Sequence, residues 1–312
     1  MQVNGSYISR KLLNLFAQKE LSGHVFSRFE NALNIEINEG FLFNLLPENI
    51  PPNPRSLILP EYDWNEIQAL RLTPGLPVCV REEHIEIPDR GSSIAFDQSK
   101  SWDPTPWLPD PPNPEDEIYR NLEIVASGSR RDPLKGIPEE ANKAARVFQD
   151  KFRKRLLQAK NDLTLSIAGG NLSESLRISS QLIGLGQGLT PSGDDVLSGV
   201  MASGVYCSLA YRSLSYFVTE FNDRLVSAAL NRTTIFSRVF LIDSSRGEVV
   251  RPLGKLLQEI LCRKDHGLLL SLTRQVMAIG ATSGGDMLEG VLAGLKCFIK
   301  LKDGLNQRDD FR

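Results

Sequence analysis

Histidine and paired cysteines are scarce in this chain of 312 residues, and their scarcity excludes several kinds of site. Only three histidines occur, and the four cysteines, Cys79, Cys207, Cys262 and Cys297, form no C-x-x-C pair. A zinc site needs such ligands at close, regular spacing, so the sequence excludes one. Cys207 and Cys297 stand in apolar helical patterns, where a thiol behaves as a small hydrophobic group. We therefore expect both to be buried in a reduced, cytoplasmic protein.

The chain also lacks a strong net charge and a long apolar run. It has 36 basic and 38 acidic residues, a formal net charge of -2. Proteins that bind nucleic acid usually carry a strongly basic face, so we expect no nucleic-acid partner. No stretch of eighteen apolar residues occurs, and residues 1–20 lack the apolar core of a signal peptide. We expect no membrane partner.

Two kinds of pattern divide the chain. The first third holds short strand-like segments, and "NIEIN" (34–38) and "EEHIEI" (82–87) alternate as half-buried strands do. Six prolines between residues 103 and 117 exclude a helix or a central strand there. Helical patterns follow. The sequence predicts an α+β protein with a β-rich N-terminal domain over 1–112, ending in a proline-rich linker, and a helical domain over 113–312.

Local signals predict where two of the helices begin. Acidic residues favour the first turn of a helix, so Glu115 to Glu117 should open the first helix after the prolines. Asn171 precedes an apolar helical pattern and is a typical N-cap residue.

Glycines crowd around two aspartates in the stretch 184–204, GLGQGLTPSGDDVLSGVMASG. Gly184, Gly186 and Gly188 should end one helix and allow a turn that other residues resist. The dinucleotide-binding fingerprint is excluded because a helix precedes the glycines. A phosphate-binding P-loop is excluded because Asp194 and Asp195 stand where lysine and serine or threonine belong.

The same pattern returns 91 residues later as GATSGGDMLEGVLAG (280–294). Aligning Ser192 with Ser283 also aligns Gly193 with Gly284, Asp195 with Asp286, Leu197 with Leu288 and Gly199 with Gly290. We expect two helices whose N-termini face each other and whose small residues allow close packing. Their N–H groups and dipoles would favour a small anion, and the aspartates would bind its amide or a divalent cation. The alternative is that Ser192, Asp194, Ser283 and Asp286 merely cap two core helices.

A third segment, 230–248, carries hydroxyl groups beside arginines. The spacing of Thr233, Thr234 and Ser237 predicts one shared helix face, next to Arg232 and Arg238. Such a face suits a carboxylate or phosphate. The alternative is that the hydroxyls bond to their own backbone.

Together the segments GLGQGLTPSGDDVLSG, NRTTIFSRVFLIDSSRGE and GATSGGDMLEG resemble the bacterial oxamate carbamoyltransferase subunit AllH family. The stretch SGHVFSRFENALNIEIN resembles the N-terminal region of that family. The resemblance implies one of three different subunits that exchange a carbamoyl group between oxamate and carbamoyl phosphate, in purine-linked nitrogen metabolism. It therefore implies a small anionic substrate and two different protein partners.

The residue pattern and the resemblance lead to one hypothesis for the site. Asp194, Asp195 and Asp286 are the candidate catalytic residues, which orient an amino group or a metal. The candidate substrate-binding residues are Gly186, Gly188, Thr190, Ser192, Gly193, Thr233, Thr234, Ser237, Thr282, Ser283 and Gly284. The cofactor stays open, with a divalent cation as one candidate. Two other functions stay open: a non-catalytic scaffold or metabolite-sensing subunit, and a metal-dependent hydrolase.

Overall fold

The computed structural model describes residues 2–17, 20–38, 40–81, 83–98, 100–129 and 143–309. The chain divides into two compact units, residues 1–104 and residues 105–312. The first unit is built on strands and the second on helices, so the protein is α+β as predicted.

A mixed sheet of ten strands forms the first unit. Its strands are β1 (Gln2–Gly5), β2 (Tyr7–Ser9), β3 (Leu21–Phe29), β4 (Ala32–Ile37), β5 (Phe41–Pro47), β6 (Ser56–Leu59), β7 (Pro77–Arg81), β8 (His84–Ile87), β9 (Ser92–Phe96) and β10 (Ser101–Trp102). Their order is β1-β9-β8-β7-β3-β4-β5-β6-β2-β10. The pairs β1/β9, β5/β6 and β2/β10 are parallel, and the other neighbours are antiparallel.

Strand β8 buries alternate residues, as the sequence predicted. Ile85 and Ile87 are fully buried, while Glu86 between them is not. Two helices, α1 (Arg10–Phe16) and α2 (Glu61–Ala69), add Phe16 and Trp64 to the same hydrophobic core. This unit therefore has its own core.

Nine helices form the described part of the second unit. They are α3 (Glu115–Gly128), α4 (Lys143–Ala168), α5 (Leu172–Leu182), α6 (Ser192–Ala210), α7 (Ser215–Ala229), α8 (Ile235–Ser244), α9 (Arg251–Cys262), α10 (His266–Met277) and α11 (Ser283–Asp309). The proline-rich stretch 103–114 forms neither helix nor strand, and α3 begins at Glu115 as predicted. Asn171 caps α5 as predicted, because its side chain accepts the N–H of Glu174 at 3.0 Å.

Helix α6 is the centre of this unit. It is apolar or small on every side, and such a helix belongs in a core. Cys207 on α6 and Cys297 on α11 are buried free thiols, as predicted. None of the described helices is both long and apolar enough to cross a membrane.

Candidate functional site

The first glycine-rich loop connects α5 to α6 through backbone conformations that favour glycine. Gly184, Gly186 and Gly188 have φ angles of 69°, 136° and 91°, in the left-handed region. A Cβ atom on Gly186 would also lie less than 3.0 Å from the backbone nitrogen of Ser192. The loop thus turns sharply back onto the start of α6, as the sequence predicted.

Helices α6 and α11 cross through a reciprocal pair of glycines. A Cβ atom on Gly199 would lie less than 3.0 Å from the carbonyl oxygen of Met287. A Cβ atom on Gly290 would lie equally close to the carbonyl oxygen of Val196. In the alignment of the two loops, 199 matches 290 and 196 matches 287, so the two contacts are equivalent. The prediction that the two copies pack closely against each other is confirmed.

The equivalence continues into the two loops that precede these helices. Gly193 donates its N–H to Leu185 O at 2.8 Å, and Gly284 donates its N–H to Ile279 O at 2.9 Å. These two N–H groups are therefore used inside the chain. The expectation that they are open donors for an anion is wrong, because the loop carbonyl groups fold back onto them. A ligand there would meet hydroxyl groups and the positive ends of the helix dipoles.

Asp194 is buried in the first turn of α6, where it holds two other segments in place. Its Oδ1 accepts the N–H of Gly184 at 2.9 Å, and its Oδ2 accepts the hydroxyl of Thr233. Burial raises the pKa of Asp194, while these hydrogen bonds and the nearby Ser237 hydroxyl lower it. The alternative that Ser192 or Asp194 caps α6 is therefore wrong, because the N-cap residue is Pro191 and makes no side-chain cap.

Asp195 lies on the same turn and faces the second loop. Only 3% of the residue is exposed. The hydroxyls of Ser283 and Thr190 lie close enough to lower the pKa of its carboxyl group, and they bond to each other at 2.8 Å. Burial nevertheless raises the pKa of Asp195 to about 7, and the charges of Asp286 and Asp194 add to the increase. Residues from both loops thus meet at this carboxyl group.

The hydroxyl groups of the third segment do not form the single helix face that was predicted. Helix α8 begins at Ile235, so Thr233 and Thr234 precede it and share no helix face with Ser237. Thr234 is the N-cap and accepts the N–H of Ser237 at 3.1 Å, while its hydroxyl donates to Leu189 O. For Thr234 the alternative of a bond to its own backbone is therefore confirmed. Thr233 alone of the two threonines bonds to a candidate catalytic aspartate.

The remaining candidates vary in their surroundings. Asp286 is buried near Asp195, and Ser192 is half-buried in the first turn of α6. Thr282 is exposed, and its carbonyl oxygen accepts the N–H of Asp286 at 3.0 Å. A Cβ atom on Gly188 would meet nothing within 4 Å. The positive φ angle of Gly188 is thus the only backbone feature that accounts for this glycine in the described structure.

Two further contacts were not predicted from the sequence. The backbone N–H of Gly184 donates to Asp194, and the buried hydroxyls of Ser198 and Ser244 bond to each other at 2.6 Å. No pattern in the sequence singles out either contact. Both contacts attach a neighbouring segment to α6.

Among the described residues, no group of three or more histidine, cysteine, aspartate or glutamate side chains is arranged to hold a metal ion. The three candidate aspartates therefore form no such group. An open surface cleft of about 510 Å³ lies elsewhere, between α4 and α5, and includes Asp162, Asn171 and Arg177. We place the candidate site at the paired loops instead, because the buried carboxyl groups converge there.

Two family models match the chain. Residues 182–295 match the family model described as oxamate carbamoyltransferase subunit AllH, and residues 4–101 match the AllH family N-terminal domain. No solved structure matches the chain. Both glycine-rich loops and the segment of α8 lie inside the first match, and the word "subunit" implies that members act with other protein chains. Since the two matches cover most of its residues, the chain belongs to the AllH family.

Proposed function

We propose that this chain is a subunit of a carbamoyltransferase that exchanges a carbamoyl group between oxamate and phosphate. The observation that carries the proposal is the meeting of the two glycine-rich loops. Thr190 from one loop and Ser283 from the other bond to each other beside the buried carboxyl group of Asp195. The family description names the substrate and the reaction.

The groups at the loops suit the chemistry of these substrates. Oxamate and carbamoyl phosphate are small anions that also carry amide groups. Hydroxyl groups donate to carboxylate and phosphate oxygens, and the positive ends of the α6 and α11 dipoles favour negative charge. Carboxylate groups accept amide N–H. Thr190, Ser192 and Ser283 are partly exposed, so a ligand has access to their hydroxyls.

Carbamoyl transfer needs positioning and charge stabilisation more than a covalent intermediate. Fixed donors around the carbonyl and phosphate oxygens supply this. In the proposed complex Asp194 is a positioning residue, since both of its oxygens bond to the chain itself. Asp195, whose Oδ2 has no hydrogen-bond partner among the described residues, is the carboxyl group that we assign to the ligand.

We also propose that two different protein subunits complete the enzyme, as the family resemblance implies. Exposed apolar side chains near the loops favour contact with another protein. Leu189 on the first loop and Leu230 before α8 are about half exposed. The nearby guanidinium groups of Arg232 and Arg238 are held by backbone carbonyl oxygens.

A non-catalytic scaffold is the second candidate. It is favoured by the hydroxyl groups that already have partners in the chain, those of Thr190, Thr233 and Thr234. In that case the loops lock the helices together, and the active site lies in another subunit.

Purification of the tagged chain with its partners from the native host tests the proposal. The eluate is assayed for release of phosphate from carbamoyl phosphate that depends on oxamate. We expect release, two co-purifying proteins, and at least about a hundredfold loss in Ser283→Ala, as for removal of an oxyanion donor. Ser227→Ala, at an exposed position on α7, is the matched control. Release that survives Ser283→Ala unchanged favours the scaffold, and no release by the intact assembly refutes the transferase.

A further inference from the structure

Two neighbouring buried carboxyl groups on α6 differ in how their oxygens are satisfied. Asp194 and Asp195 are 2% and 3% exposed. Both oxygens of Asp194 accept hydrogen bonds within the chain. Oδ2 of Asp195 is buried and has no hydrogen-bond partner among the described residues. A buried oxygen without a partner is unfavourable and calls for an explanation.

The surroundings of this oxygen indicate what it binds. The hydroxyls of Ser283 and Thr190 lie beside the carboxyl group of Asp195 and lower its pKa, and the negative charge of Asp286 is close by. A second negative group at Oδ2 would be repelled by both carboxylates. A group that donates an N–H bond would satisfy Oδ2 without adding negative charge.

The bond between Thr190 and Ser283 is the point at which a ligand can enter. Oδ2 is out of contact with solvent, so a ligand reaches it only when neighbouring side chains move. These two hydroxyls are partly exposed and bond to each other. A ligand with one oxygen for the hydroxyls and one N–H for the carboxyl group would replace that bond.

From this geometry we infer that Asp195 selects ligands with a primary amide and accepts the amide proton at Oδ2. The inference rests on the proposed function. The amide nitrogen of the acceptor forms a bond to the carbonyl carbon of carbamoyl phosphate, and the bond from that carbon to the bridging phosphate oxygen breaks. The amide proton passes to Oδ2 of Asp195 and then to the departing phosphate. Asp195 returns to its initial form, and no oxidant or reductant is needed. The raised pKa of Asp195 suits a group that takes up and returns a proton near neutral pH.

Ligand discrimination tests this role. Oxamate and oxalate differ by one group, an amide in place of a carboxylate, and both are titrated calorimetrically into the purified full-length chain with any co-purifying proteins. We expect the wild type to bind oxamate at least about tenfold more tightly than oxalate, because the site is built for an N–H donor. In Asp195→Asn the ratio should fall by about tenfold or more, since the asparagine amide donates to the oxalate oxygen. Asp195→Ser is the second variant, and circular dichroism checks the fold of both.

Asp194→Asn is the matched control, which should change both affinities by the same factor. An unchanged ratio in both Asp195 variants overturns the inference, and so does a wild type that binds no oxamate. The phosphate-release assay separates this result from the proposed function. Amide selection without release leaves the selection of amides by Asp195 standing, and it refutes both the transferase and the proton transfer. Phosphate release with an unchanged ratio of oxamate to oxalate affinity supports the transferase and refutes the role of Asp195.

Discussion

Replacement of Asp195 with asparagine should stabilise the protein above neutral pH and leave its stability unchanged in acid. Burial raises the pKa of this carboxyl group from 3.8 to about 7 in the folded chain, and unfolding returns it to its ordinary value. Well below about pH 4 the group is protonated in both states and has no effect. As the pH rises from about 4 to about 7, the unfolded chain releases the proton and the folded chain retains it, so stability falls. Above about pH 7 the loss is complete, at about 4 kcal/mol, from about 1.4 kcal/mol for each of about three pKa units.

The assay is urea unfolding followed by far-ultraviolet circular dichroism at about pH 4, 6 and 8. The signal reports mainly the helices of the second unit, which contains Asp195. The variant and the wild type should differ by less than about 1 kcal/mol at about pH 4, and the variant should be more stable by about 4 kcal/mol at about pH 8. Asp223→Asn, at an exposed position on α7, controls for the loss of a surface charge. If the Asp195 variant and the wild type lose stability in parallel between pH 4 and 8, the carboxyl group is not buried as described.

Three further substitutions test the packing and the hydrogen bonds around α6. Gly199→Ala should lose at least about 1–3 kcal/mol of unfolding free energy, because its Cβ atom would overlap the facing helix. Gly304→Ala, in open space on α11, should lose none. Equal urea midpoints of the two variants would contradict the close crossing. Thr233→Val should cost about 1–3 kcal/mol of unfolding free energy at neutral pH, because the charged carboxylate of Asp194 loses a donor, and less in acid, where Asp194 is protonated. Thr233→Ser should restore the stability. A valine variant that unfolds like the wild type would show that the bond contributes nothing. Asn171→Ala should lose about 1 kcal/mol of unfolding free energy, because it removes the cap of α5. Asn171→Ser should keep most of the wild-type stability, since serine also caps helices. Equal stabilities of these two variants would argue against capping.

Local signals in the sequence were sufficient for part of the sheet and for several helix boundaries. The alternation at Ile85 and Ile87 predicted one buried face, and the structure buries both residues. Asn171 and Glu115 mark the places where α5 and α3 begin. These features depend on neighbouring residues, so they could be predicted without the fold. The mixed order of the ten strands could not be predicted, because it depends on pairing between distant segments.

The paired loops were predictable only in part. Recurrence of small residues at matching positions predicted that α6 and α11 would pack closely, and Gly199 and Gly290 confirm it. The bonds from Gly193 and Gly284 to the preceding loops were not predictable, because every residue has the carbonyl group that accepts them. These bonds close two donors that the sequence had suggested were open to a ligand.

The hydroxyl segment was wrongly predicted for a simple physical reason. Periodicity alone placed Thr233, Thr234 and Ser237 on one helix. A threonine before an apolar run is also a typical N-cap, and that preference prevailed at Thr234. Thr233 then turns toward Asp194, which no pattern within the segment indicates. Roles for all three residues in substrate binding remain predictions.

The glycine crossing of α6 and α11 ties the geometry of the loops to the packing of the helices. Ser192 stands seven positions before Gly199, and Ser283 stands seven positions before Gly290, so each helix start lies about 10 Å from the crossing. Beyond the crossing, a Cβ atom on Gly204 would meet the ring of Phe298. A rotation of about 5° between the helices would displace each start by about 1 Å, which is enough to break the 2.8 Å bond between Thr190 and Ser283. Close packing along both helices therefore keeps the two loops in register.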